Sequence, residues 1–103
     1  MKQYRVRITE EALNDMGQLY KYIAVHLNAP KAAMDQYNRI TEAIMSLSQM
    51  PKRIKLMDSE PERTKGLRRI NVDNYSVFFL INKDEVVITN VLYGSMDISE
   101  RLK

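Results

Sequence analysis

The stretch that most limits what this chain can become is residues 67–94, LRRINVDNYSVFFLINKDEVVITNVLYG. It predicts three strands joined by two tight turns. Residues 75–81 (YSVFFLI) and 85–92 (EVVITNVL) are rich in aromatic and β-branched side chains, which fit a pleated, half-buried surface. Asp73-Asn74 and Asn82-Lys83-Asp84 separate the runs with residue types that tolerate the positive φ of a tight hairpin. In 75–81 both alternating faces are apolar, Tyr75, Val77, Phe79 and Ile81 against Phe78 and Leu80. A strand apolar on both sides belongs in the interior of a sheet.

The segments before it supply the rest of a layer. Residues 3–8 alternate Tyr4, Val6 and Ile8 with Arg5 and Arg7, a strand with one buried face. Thr9 is placed to cap a helix, with Glu10 and Glu11 at the positive end of its dipole. Leu13, Met16, Tyr20, Ile23 and Leu27 predict the apolar stripe of that helix. Asn28-Ala29-Pro30 breaks it, and Ala33, Tyr37, Ile40, Ile44 and Leu47 form the stripe of a second helix that Pro51 closes. So short a connection predicts an antiparallel helical hairpin. Residues 52–66 lack periodicity and are expected to be a loop.

The expected architecture is α+β: an N-terminal strand, an α-helical hairpin and a three-stranded antiparallel meander, forming a four-stranded sheet with helices on one face. A length of 103 residues fits one domain, residues 1–103. Ile70 and Val72 then belong to the helix-covered side, and Arg69 to the open face.

Composition narrows the chemistry. The chain has no Cys and one His, His26, so thiolate metal sites, disulfides, thiol nucleophiles and multi-histidine clusters are excluded, and no metal is expected. No P-loop or acidic metal cluster is present, and no cofactor is implied. No apolar run approaches the roughly 20 residues of a membrane span, and a cytoplasmic protein is expected. The net charge is +3, but residues 51–69 hold Lys52, Arg53, Lys55, Arg63, Lys65, Arg68 and Arg69 against Asp58, Glu60 and Glu62. Such a patch attracts phosphate or acidic protein segments, or is a solvated loop.

The element order, Arg68-Arg69, the strand carrying Asn74, Tyr75, Val77 and Phe79, and the ending Val91-Leu92-Tyr93-Gly94-Ser95-Met96-Asp97 resemble the RelE/ParE superfamily, the toxins of bacterial type II toxin–antitoxin pairs. The ending, with Leu102 on a short tail, is closer to the ParE branch. That resemblance implies a toxin that binds and poisons DNA gyrase and is neutralised by a cognate antitoxin carrying an acidic, amphipathic segment. The RelE branch implies the alternative, a ribosome-dependent mRNA endonuclease. RNA cleavage through the 2′-hydroxyl needs a base, a cation and an acid in one place. Where the RelE pattern carries arginines this chain has Ser76 and Met96, and Leu67 stands where a Lys is usual. Arg69, Arg68 and Tyr93 are the groups left for a nuclease. Tyr93 either stacks on a base and donates a proton or packs the end of its strand. As a binding protein the chain would use Arg5, Arg7, Arg68, Arg69, Tyr93, Met96 and Asp97 toward target or antitoxin.

Overall fold

A computed structural model describes residues 3–94 and Leu102. Strands β1 (Arg5–Ile8), β2 (Arg68–Val72), β3 (Tyr75–Asn82) and β4 (Glu85–Tyr93) form one sheet in the order β1-β4-β3-β2. β2, β3 and β4 are the expected antiparallel meander, while β1 runs parallel to β4 with Ile8 opposite Ile88. Both turns use the left-handed backbone that their residues tolerate, with φ of 56° at Asp73 and 59° at Lys83. The central strand is the one apolar on both sides: Tyr75 to Phe79 are all buried.

Between β1 and β2 lie helices α1 (Glu10–Lys21) and α2 (Pro30–Ser46). Thr9 is the cap of α1. Its side chain accepts the Ala12 N–H at 3.1 Å and donates to the Ile88 carbonyl at 2.9 Å, so the helix start is tied to the sheet. The hairpin covers one face of the sheet. Met16, Leu19, Ile40, Ile44 and Leu47 pack there on Tyr75, Val77, Phe79, Val86, Ile88 and Val91. The opposite face carries a smaller cluster of Leu67, Phe78, Leu92 and Leu102, with Met57 and Leu80 against it. Residues between α2 and β2 therefore do more than connect: Met57 donates its N–H to Leu67, and Leu56 bridges Arg68 at the sheet edge.

The stripe on α1 is corrected by one residue. Ala12, Asp15, Met16 and Leu19 face the core, whereas Leu13 is 50% and Leu27 56% exposed. Two causes act. Ala12 lies fully buried in the core cluster, and Leu13, one position on and so about 100° around the helix, is turned out of it. After Lys21 the chain widens into a π-helical turn, Tyr22–His26, whose extra residue per turn carries Leu27 out to solvent. Tyr20 is half-buried, edge-to-face with Tyr37 of α2 at 6.1 Å.

A β-bulge in β4 sets the phase of its second half. Phe79 pairs with Ile88 and Phe78 with Asn90, so Thr89 is the additional residue. Val86 and Ile88 face the helices; beyond the bulge Val91 does so, and Tyr93 stands opposite Tyr75. The buried Asp15 accepts the Val91 N–H through Oδ2 at 3.0 Å, Asn90 Nδ2 donates to Glu11 Oε1 at 3.2 Å, and Thr89 Oγ1 donates to the Phe78 carbonyl at 3.2 Å. Helix α1 thus supplies acceptors for the irregular stretch. Replacing Asp15 by Ala leaves a buried amide without that acceptor and is expected to cost about 1–3 kcal/mol in denaturant unfolding. Asp15→Asn, which keeps a carbonyl oxygen, should recover a large part of the loss.

Candidate functional site

The ends of β2, β3 and β4 that lie beside the Asp73-Asn74 turn enclose an open depression of about 330 Å³. Arg69, Asn71, Asp73, Asn74, Tyr75, Ser76, Tyr93 and Gly94 line it. Arg69 enters from the face opposite the helices, as expected, because its cross-strand partner is Phe78 of the smaller cluster. Its guanidinium carbon lies 5.7 Å from the centre of the Phe78 ring, within cation–π range. Arg69 Nε donates to Asn71 Oδ1 at 3.2 Å, and Ser76 Oγ donates to the same oxygen at 3.0 Å.

Arg68 does not join it. One residue earlier on the strand, it pairs with Phe79 and so points to the helix side. There it is half-buried, its Nη1 donates to the Ile54 carbonyl, and its Nε is buried without a hydrogen-bond partner. It anchors the segment before β2 and is not the exposed cation that a ligand-binding role would need.

Tyr93 also belongs to the helix side, because of the bulge. Its ring meets Tyr75 edge-to-face at 5.4 Å between centres, and the residue stays 42% exposed. It packs the end of its strand, one of its two expected roles. Burial first, then the neighbouring Tyr93 and Tyr22, push the Tyr75 phenol above the usual tyrosine range. A neutral phenol is a poor proton acceptor at physiological pH. Of the three groups available to a nuclease, Arg68 is turned away from the depression, and Tyr93 borders it with its ring packed on Tyr75 rather than paired with Arg69.

The remaining charges nearby are occupied. Asp73 Oδ2 accepts from Arg39 Nε at 2.8 Å and from Gln36 Nε2 at 3.0 Å, linking α2 to the β2–β3 turn. On β1, exposed Arg5 and Arg7 share the open side with Arg69 but are paired with Asp84 and Glu85, both at 3.3 Å. Met96 and Asp97 lie outside the described residues. Among the described residues no group of His, Cys, Asp and Glu is arranged to hold a metal, and no helix is long and apolar enough to cross a membrane. Sequence reasoning missed Asn71 and Ser76. Their signal was available: as alternate residues on neighbouring strands, they share the face of Arg69.

This mixed four-stranded sheet under a helical hairpin is the fold of the RelE and ParE toxins. The chromosomal ParDE system from P. aeruginosa matches with a TM-score of 0.74 at 22% identity, covering 88% of this chain and 96% of that one. The RelBE2 toxin–antitoxin complex from Mycobacterium tuberculosis matches with a TM-score of 0.62 at 23% identity, over 88% and 98%. Residues 6–98 match the ParE toxin family of type II toxin–antitoxin systems, parDE, and the chain belongs to that family. Toxin ParE3 of Caulobacter vibrioides is 29% identical over 98 residues, 95% of this chain and 94% of the relative.

The Asp73 contacts give a signed pH dependence. Hydrogen bonds from Arg39 and then Gln36 hold its carboxyl below the usual aspartate range. The stabilisation is present above that range and is lost as pH falls through the depressed folded value. In acid-denaturation profiles, Asp73→Asn should flatten the low-pH limb relative to wild type, with the turn preserved because Asn also tolerates left-handed backbone. An unchanged limb would mean that the pair contributes nothing.

Proposed function

We propose that the protein is the toxin of a type II toxin–antitoxin pair that arrests growth by gripping DNA gyrase, with no bond-breaking site of its own. The observation that carries this reading is that, among the described residues, Arg69 has no partner placed for acid–base work. Arg68 is turned to the helix side and bonded to the Ile54 carbonyl, and Tyr93, at the edge of the depression, is packed on Tyr75. General acid–base cleavage needs its groups within hydrogen-bond reach of one reacting phosphate. Here the depression brings, among the described residues, one guanidinium beside the neutral polar side chains of Asn71 and Ser76 and apolar surface, which suits holding a macromolecule. Gyrase as target makes the cytoplasm the site of action.

A cognate antitoxin is the second partner. The structural relatives include toxin–antitoxin complexes, and family membership points the same way. An acidic, amphipathic segment that folds on binding fits the surface. Arg5 and Arg7 are its proposed contacts, because exposed pairs such as those with Asp84 and Glu85 are weak enough for an incoming carboxylate to exchange with them.

Antitoxin-free protein added to gyrase and supercoiled plasmid is expected to leave linear DNA after denaturation. Added to translating ribosomes with a reporter message, it is expected to leave the message intact. Arg69→Ala should remain folded and lose most of the plasmid effect. Intact plasmid together with codon-positioned message breaks would replace this reading with the endonuclease.

A further inference from the structure

We infer that the open face carries a second site, a socket between β3, β4 and the start of α1 that takes an arginine side chain of a partner protein. The inference deepens the gyrase reading and rests on it for one point: the protein that brings the arginine is gyrase.

The socket begins with the bulge. Because Thr89 is the additional residue, Asn90 pairs with Phe78 and shares its face, opposite the helices. β1 ends at Ile8, opposite Ile88, so the first turn of α1 reaches the uncovered edge of β4 and brings Glu11 to Asn90. An open cavity of about 320 Å³ lies there, and Glu11, Lys65, Leu67, Leu80, Asn90 and Leu102 line it.

Three features specify the ligand. First, Asn90 is only 5% exposed, and its Nδ2 donates to Glu11 Oε1 at 3.2 Å. That bond fixes which end of the amide meets the carboxylate. Among the described residues nothing donates to Asn90 Oδ1, which stays open to the cavity. A nearly buried acceptor of this kind calls for a donor. Second, among the described residues no cation pairs with the Glu11 carboxylate, which Asn90 holds beside its own carbonyl. Two adjacent acceptors, one of them charged, match the planar fork of a guanidinium. Third, Leu67, Leu80 and Leu102 form an apolar wall on which the methylene stem of an arginine lies while its head is bonded.

Lys65 lines the same cavity as a competing positive charge, exposed and on a flexible stem. An acidic ligand would have Lys65 alone to meet. It would leave the Asn90 carbonyl without a donor and set a second carboxylate against Glu11.

The test titrates the whole isotope-labelled protein with N-acetylarginine methylamide and with its citrulline, lysine and glutamate counterparts, read by NMR. The arginine probe should shift the Asn90 side-chain amide and the Leu80 and Leu102 methyls saturably. The citrulline probe keeps the shape without the charge and should bind about ten-fold more weakly. The lysine probe should bind about five-fold more weakly, because an ammonium makes no fork. Glu11→Gln keeps an acceptor for Asn90 Nδ2, so the amide stays in place, and should weaken the arginine probe about ten-fold. Lys65→Ala removes the competing charge and should strengthen it about two-fold, which a merely apolar hole would not show. In the plasmid assay the same two variants should move the effect in the same directions. No saturable shift at Asn90, equal binding of the arginine and citrulline probes, preference for the glutamate probe, or a plasmid effect untouched by Glu11→Gln would overturn the inference. The probe titration contains no gyrase, so its failure is distinct from failure of wild type in the plasmid assay.

Discussion

The contact on which the arrangement depends is a single buried hydrogen bond, from the Val91 N–H to the carboxylate of Asp15. β1 pairs with β4 only as far as Ile88, so beyond the bulge at Thr89 that edge of β4 has no strand beside it, and the Val91 amide faces α1 in the interior of the fold. A buried amide without an acceptor is costly, so a helix must supply one. Asp15 does so from the inner face of α1, nearly two turns after the cap that Thr9 makes against the same strand. Helix position and strand phase are fixed together.

The consequence reaches function through period-two geometry. Without Thr89 as an extra residue, the alternation begun at Val86 and Ile88 would continue to Asn90 and Leu92 on the helix side, and Tyr93 would fall on the open face beside Arg69. With it, Leu92 joins Phe78 and Leu67 on the open face, while Tyr93, still 42% exposed, meets Tyr75 at the strand ends. One residue in a strand thereby turns the Tyr93 ring onto Tyr75. A scaffold with that ring beside Arg69 would have the start of a nuclease site. This one has an orienting pair, Asn71 and Ser76, around a single cation.

Much of this was legible in the residues, for local reasons. The meander, its two turns and the Thr9 cap follow from alternation, turn chemistry and capping, all of which act over a few residues. The placement of Arg69 on the open face follows from alternation in β2 alone. The parallel pairing of β1 with β4 has no such signal, since it joins segments about 80 positions apart. The α1 stripe was misplaced because Leu13 is more apolar than Ala12, yet the helix turns Ala12 rather than Leu13 into the core. The bulge did leave a trace. Thr89-Asn90 puts two polar residues together inside EVVITNVL, and Asp15 stands on the helix face that Ala12 and Leu19 define. Each alone is an irregularity; only the fold brings them to one hydrogen bond. The resemblance names Arg68 and Arg69 together, whereas alternation along a strand puts neighbours on opposite faces.

The most direct measurement is a proton NOE map of the Tyr93 ring in the free protein. The account predicts cross-peaks from that ring to the Tyr75 ring and none to the Arg69 side chain. Cross-peaks from Tyr93 to Arg69, with those to Tyr75 missing, would mean that β4 keeps a regular register, and the packing of Tyr93 on Tyr75 would be contradicted.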